Sequence, residues 1–82
     1  MMDKALEEIV RGCLLDERIK KIVLDIASMD DEERENFRRK MNVYFAGRRS
    51  EVDVQAYRFY RIVLERAEEI IEEVKRRERG EG

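Results

Sequence analysis

Histidine, proline and tryptophan are absent from this chain of 82 residues, and cysteine occurs once, at Cys13. A chain with no histidine and one thiol cannot form the usual zinc sites or a Ser-His or Cys-His catalytic pair. An intrachain disulfide is equally excluded. Because Cys13 lies among apolar residues at helical spacing, we expect a buried thiol. We also predict a cytoplasmic protein, since that compartment keeps thiols reduced.

Long apolar runs are also missing. No stretch approaches the roughly 20 apolar residues that a membrane-spanning helix needs. The first residues include Asp3, Glu7 and Glu8 and are not followed by a long apolar segment, so the pattern does not predict a signal peptide. We therefore expect no membrane partner.

Charge is abundant but balanced. Charged residues make up 46% of the chain, and 18 basic against 20 acidic side chains leave a net charge of −2. A nonspecific nucleic-acid binder is usually strongly basic overall, which this chain is not. Apolar residues account for 43% and recur at helical spacing, so we expect a folded domain. The scarcity of amide side chains beside many glutamates and arginines resembles thermophile composition, although good helix formers give the same bias.

The apolar spacing predicts a single all-α domain, residues 1–82, of three or four helices at about 3–15, 17–28, 31–46 and 51–77. The first two apolar stripes differ in direction by more than a quarter-turn. We therefore favour a turn near Leu15, with Asp16 capping the second helix, over one continuous helix buried on two sides. The two stripes are Leu6, Ile9, Val10, Cys13 and Leu14, and then Ile19, Ile22, Val23 and Ile26.

Capping signals mark where the third helix begins and ends and where the fourth begins. Asp30 followed by Glu33 predicts a capping box at the start of the third helix, and Gly47 occupies the position of a left-handed residue just beyond its end. Ser50 followed by Asp53 predicts a second capping box that opens the long fourth helix. We expect the last few residues, about 78–82, to be frayed.

The fourth helix carries an apolar seam whose residues alternate at spacings of four and three. A helix of that length spans about 40 Å, more than two short helices are expected to cover. We therefore predict that the distal half of the seam faces water in a monomer, and that a homodimer or another helical protein covers it. The predicted interface residues are Ala56, Tyr60, Val63, Ala67, Ile70, Ile71 and Val74.

A basic segment lies between acidic flanks. Residues 38–61 contain seven basic and two acidic side chains, whereas residues 1–37 contain six basic and eleven acidic ones. Arginines interleaved with aromatic rings are typical of nucleic-acid surfaces. The alternative is that the rings belong to the core and the arginines pair with carboxylates. Candidate nucleic-acid or anion contacts are Arg38, Arg39, Arg48, Arg49, Ser50 and Arg58.

Glutamates at 68, 69, 72 and 73 form an EExxEE run, and carboxylates four residues apart on a helix can hold magnesium. We expect this run to be a solvated helix face instead. No residue set specifies a catalytic, cofactor or metal site, so we do not expect an enzyme. The sequence favours a small helical interaction module that self-associates through the long C-terminal helix, either alone or as an accessory subunit of a larger complex. A nucleic-acid-binding protein is the alternative.

Overall fold

The computed structural model describes residues 3–80 and confirms an all-α fold. The four helices are α1 (Lys4–Leu15), α2 (Glu17–Ala27), α3 (Asp31–Phe45) and α4 (Glu51–Glu78). These bounds confirm the predicted ranges to within one residue, and the chain turns at Asp16 rather than continuing as one helix. Within residues 3–80 no helix is long and apolar enough to cross a membrane.

Side-chain caps explain where the helices start. The carboxylates of Asp3 and Asp16 accept hydrogen bonds from backbone N–H groups in the first turns of α1 and α2. At α3 the predicted capping box is complete, because Asp30 accepts from the Glu33 N–H and Glu33 accepts from the Asp30 N–H. Each cap satisfies an amide that has no partner inside its helix.

The box predicted at the start of α4 is only half formed. Ser50 Oγ accepts from the Asp53 N–H at 3.1 Å, as expected for a cap. The Asp53 carboxylate, however, accepts a hydrogen bond from the Ser50 hydroxyl at 2.7 Å instead of returning to the cap amide. Before this cap, Gly47 has a φ of 79°, so it takes the predicted left-handed conformation after α3.

The core is a three-helix bundle made by α1, α2 and the C-terminal half of α4. α2 begins beside the end of α4, where Lys20 Nζ lies 2.7 Å from Glu78 Oε2. It ends near the middle of α4, where Arg34 binds both the Ala27 carbonyl and Glu68. The buried apolar residues are Leu6, Ile9, Val10, Cys13, Val23, Ile26, Met41, Val63, Leu64, Ala67, Ile70, Ile71 and Val74.

The prediction that the distal seam faces water in a monomer is wrong. Ala67, Ile70 and Val74 are 0% exposed and Ile71 is 8% exposed, all within one chain. α1 has 12 residues and α2 has 11, so each is about 17 Å long, which matches the last twelve residues of α4. The short helices pack against this half of α4. They cover it fully, and it is not available to a second chain in this fold.

The remainder of α4 departs from the core at a kink. Arg66 has φ −132° and ψ 27°, outside the helical region. The chain contains no proline, so proline does not cause this kink. α3 and the N-terminal half of α4 form a two-helix hairpin, which we call the arm (residues 31–65). Met41, Val63 and Leu64 of the arm belong to the buried core.

α4 extends to Glu78, the first residue of the segment that the sequence predicts to be frayed. Glu78 is the last helical residue and accepts a hydrogen bond from Lys20. Gly80 closes the turn with its N–H on the Arg77 carbonyl at 3.0 Å and a φ of 80°. The rest of the predicted frayed segment, residues 81 and 82, lies outside the described residues.

Candidate interaction surface on the arm

The two helices of the arm are joined by aromatic contacts. The Phe37 and Tyr60 rings lie 5.7 Å apart between centroids, and those of Phe45 and Tyr57 lie 5.5 Å apart. Both pairs are tilted or edge-on, the arrangement that aromatic quadrupoles favour. The Tyr57 hydroxyl also donates to Asn42 Oδ1 at 2.8 Å. These rings therefore belong to the packing between α3 and α4, as the alternative interpretation of the basic segment predicts.

This packing leaves the arm only partly buried. Met41 is the single buried residue of α3, and the four rings of the paired aromatics stay partly accessible. Three of the predicted seam residues lie here: Ala56 and Tyr60 are likewise half-buried, and Val63, next to the kink, is 0% exposed. Phe59 and Ile62 of the arm pack against the core, whereas the apolar residues near its tip stay exposed, so the arm buries less apolar surface than the core does.

Large apolar side chains are exposed near the tip of the arm. Val43 is 77% exposed, Tyr44 57%, Val52 75% and Val54 55%. The sequence pattern did not mark Val43 and Val54 as contact residues, because both lie off the apolar stripes of their helices. Isolated apolar residues on a surface are ordinary, but four within twelve residues of one hairpin form a candidate contact surface.

The cations of the basic segment divide into two groups. Arg38 Nε and Arg39 Nε lie 3.6 and 3.8 Å from the Glu35 carboxylate, so these two arginines pair with the acidic first part of the chain. The other five have no carboxylate of residues 3–80 within ion-pair distance. These five are Lys40, Arg48, Arg49, Arg58 and Arg61.

Two of the four guanidinium groups among these cations contact aromatic rings. Arg48 lies 4.3 Å from the centroid of the Tyr44 ring and donates from Nε to the Tyr44 carbonyl at 3.0 Å. Arg61 lies 5.8 Å from the centroid of Tyr57. Such contacts position a cation without neutralising it, so the positive charge stays available to an anionic partner.

Ser50 does not offer the anion site that its position suggested. Its hydroxyl is engaged twice with Asp53, as donor and as acceptor. The Asp53 carboxylate therefore already occupies the N-terminal turn of α4 and supplies the negative charge that the helix dipole favours. A phosphate would meet repulsion there, so the arginines and not Ser50 remain the candidate anion contacts.

The EExxEE run of α4 is occupied by ion pairs. Glu68 binds Arg34, Glu69 binds Arg66 at 3.0 Å, and Glu73 binds Arg76 at 3.0 Å. Glu72 lies 3.9 Å from the same Arg76. The hydrogen bond from Arg34 lowers the pKa of Glu68. Among residues 3–80 no group of three or more histidine, cysteine or acidic side chains is placed to hold a metal ion.

A concavity of about 910 Å³ between α1 and the end of α4 is lined mainly by charged residues that pair with one another, including Glu7 with Arg77. Cys13 is buried in the core, and burial raises the pKa of its thiol, so the nucleophilic thiolate is disfavoured.

Comparison of the chain with protein-family models, with curated proteins and with solved structures gave no match.

Proposed function

We propose that this protein is a small helical interaction module that self-associates through the arm. The observation that supports the proposal is the set of exposed apolar residues on a two-helix hairpin, Val43, Tyr44, Val52 and Val54. The proposed interface includes the N-terminal half of the long helix, as the sequence predicts. It does not include the distal seam, because the core of the same chain already covers that part.

Self-association of the arm would complete a helical bundle. Two arms packed together would form a four-helix bundle, in which each hairpin supplies the layer that the other lacks. A small chain gains core in this way without extra length, because the half-buried rings of Phe37, Phe45 and Tyr57 become covered. The function that follows is binding rather than catalysis. We also propose a cytoplasmic location, which the free and buried Cys13 thiol supports.

The test is the solution mass, measured by size-exclusion chromatography with light scattering over a range of concentrations. The wild-type protein should be a dimer, and Val43→Asp with Val52→Asp should be a monomer with unchanged helical circular dichroism. The matched control is Leu15→Asp, which changes an 87% exposed leucine at the α1–α2 turn, away from the arm. A wild-type monomer at every concentration, or dissociation by Leu15→Asp alone, would contradict the proposal.

A second candidate function is nucleic-acid binding by the same arm. It is favoured by the five cations that have no carboxylate partner among residues 3–80, and by the Arg48–Tyr44 stack, which leaves charge and an aromatic ring exposed together. In a dimer, two such sets would act jointly on a phosphate backbone.

Electrophoretic mobility shifts with DNA and RNA at low and high salt test this second candidate. Arg48→Ala with Arg49→Ala should abolish a salt-sensitive shift. The control, Lys4→Ala with Lys21→Ala, removes the same charge from exposed positions of α1 and α2 and should preserve it. If wild-type protein shifts neither nucleic acid at low salt, or if both double variants lose the shift equally, the arm is not a nucleic-acid site.

A further inference from the structure

A second concavity, of about 550 Å³, lies between the core and the N-terminal half of α4. Small-molecule sites in proteins commonly enclose roughly 300 to 1,000 Å³ and have mainly apolar walls with a few polar groups. None of the four exposed apolar residues near the tip of the arm lines this concavity. Its apolar walls are formed by Ala5, Ile9, Gly12, Ile19, Phe59 and Ile62.

These walls offer apolar surface that the fold does not use completely. Ile19, Phe59 and Ile62 each pack against the core but remain half-buried, so part of each side chain stays accessible. Ala5 and Gly12 are half-buried as well. Since all five line the same concavity, an apolar ligand placed there would remove their remaining surface from water, which is favourable.

Gly12 keeps this concavity open. A glycine inside a helix lowers the stability of the helix relative to alanine. The backbone does not require one here, because the glycines with positive φ in the described chain are Gly47 and Gly80. Packing does not require one either, since a Cβ at Gly12 would lie 3.5 and 3.6 Å from Ile19 atoms, an ordinary contact distance. The effect of the missing side chain is therefore the space beside Ile19, which itself lines the concavity.

The polar rim carries a net positive charge. Lys4 and Glu8 of α1 and Arg58 of α4 line the concavity and are exposed. None of the three has an oppositely charged group within ion-pair distance in residues 3–80. Two cations and one carboxylate leave one positive charge to be matched. The amide of Gln55, also at the rim, can donate a hydrogen bond to an anion.

We propose that this concavity binds a small amphiphile with one negative charge, a carboxylic acid with an acyl or aromatic body. The body packs against Phe59 and Ile62, and the carboxylate lies beside Lys4 and Arg58. Burial of the body supplies most of the affinity, because exposed ion pairs contribute little. The rim selects the charge of the ligand, since Glu8 repels a second negative charge. This inference goes beyond the self-association proposed above and does not depend on it.

Nuclear magnetic resonance of isoleucine methyl groups tests the site, with octanoate as the probe. Octanoate should shift the methyl signals of Ile19 and Ile62 and leave Ile70 unchanged, because Ile70 is 0% exposed and does not line the concavity. Octylammonium has an alkyl chain of equal length and the opposite charge, and should bind about fivefold more weakly at low salt. Equal affinity for both ions, or octanoate shifts that spare Ile19 and Ile62, would overturn the proposal.

Filling the concavity should abolish most of this binding without unfolding the protein. Gly12→Met should raise the octanoate dissociation constant about tenfold, because the new side chain extends from α1 beside Ile19. Methionine is a good helix former, so the melting temperature should stay at or above the wild-type value. Leu15→Met, at an 87% exposed position of the same helix, is the control and should bind as wild type does. Wild-type affinity in Gly12→Met would exclude this site.

Charge variants test the choice of a monoanion. Arg58→Ala should raise the octanoate dissociation constant about threefold, and Glu8→Gln should lower it by a similar factor. Lys21→Ala removes a positive charge from an exposed position of α2 and should leave the constant unchanged. Equal effects of Arg58→Ala and Lys21→Ala would show that the rim does not select the ligand. A monomeric wild-type protein would overturn self-association alone, because the apolar residues at the tip of the arm do not line this concavity.

Discussion

The guanidinium of Arg66 binds the carboxylate of Asp3, with Arg66 Nη1 2.8 Å from Asp3 Oδ2, although 63 positions separate the two residues in the chain. Asp3 is also the N-cap of α1, and Arg66 is the residue at which α4 kinks. Arg66 further binds Glu69 through two hydrogen bonds of 3.2 and 3.0 Å. The contact therefore fixes the start of α1 against the junction between core and arm.

Removing only the charge of Asp3 should weaken this junction. Asp3→Asn keeps an oxygen that can cap α1 but removes the carboxylate that Arg66 binds. We expect the melting temperature to fall by about 3 °C at low salt, and by less at 1 M salt, where exposed charges are screened. Thermal unfolding followed by circular dichroism measures both values. An unchanged melting temperature at low salt would show that the contact does not stabilise the fold.

The distal seam should behave as core. Ile70→Ala should lower the free energy of unfolding by about 3 kcal/mol, because Ile70 is 0% exposed and its truncation leaves a cavity. Leu15→Ala, at an 87% exposed position, should change it by less than about 0.5 kcal/mol. Urea titration of both variants gives the comparison. Similar small effects from the two substitutions would mean that the seam is not buried as described.

Acid should destabilise the protein through its ion-paired carboxylates. The N–H of Leu6 and the guanidinium of Arg66 lower the pKa of Asp3 from its ordinary value of 3.8, and Arg77 lowers that of Glu7 from 4.5. The unfolded chain therefore binds protons first as pH falls, so the stabilisation is complete above about pH 5 and is lost progressively below it. Unfolding free energies measured from pH 7 to 3 should decline in that window.

A single substitution tests how much of that acid sensitivity comes from the Glu7 carboxylate. Glu7→Gln should flatten the decline, because the amide no longer changes charge between pH 5 and 3. Glu8→Gln is the matched control, since Glu8 is exposed and forms no ion pair with residues 3–80, and the decline should persist in that variant. Equal pH profiles for the two variants would place the acid sensitivity elsewhere.

Two glycines should respond oppositely to alanine. Gly47 has a φ of 79°, which a residue with a Cβ adopts at a cost, so Gly47→Ala should destabilise the protein by about 1 kcal/mol. Gly12 lies inside α1, and a Cβ there would meet Ile19 side-chain atoms at 3.5 and 3.6 Å, an ordinary contact distance. Gly12→Ala should therefore stabilise the protein by about 0.5 to 1 kcal/mol. Chemical denaturation of both variants checks the two signs.

Local signals predicted the helices because their causes are local. Asp16 and Asp30 cap helices through amides two or three residues away, and Gly47 takes its left-handed conformation without help from distant parts of the chain. Such features depend on the few residues around them, so they can be predicted from a single sequence. The same holds for the apolar stripes that define the inner faces of α1 and α2.

The candidate site was less predictable because it depends on which surfaces the fold leaves uncovered. The seam around Ile70 carries a strong apolar pattern, but only the placement of α1 and α2 shows that it is buried. Val43 and Val54 lie off the apolar stripes and become noticeable only when their exposure is known. The kink at Arg66 is equally hidden, since neither proline nor glycine marks it.

The buried core is assembled from the two ends of the described chain. Its residues fall between Leu6 and Ile26 and between Val63 and Val74, and Met41 is the only one between those ranges. During synthesis, α1 and α2 therefore emerge first but have no third helix to pack against until the last part of α4 has been made. The core can form only after the residues up to Val74 have been made, and a chain that stops before Val63 leaves the apolar faces of α1 and α2 open to aggregation.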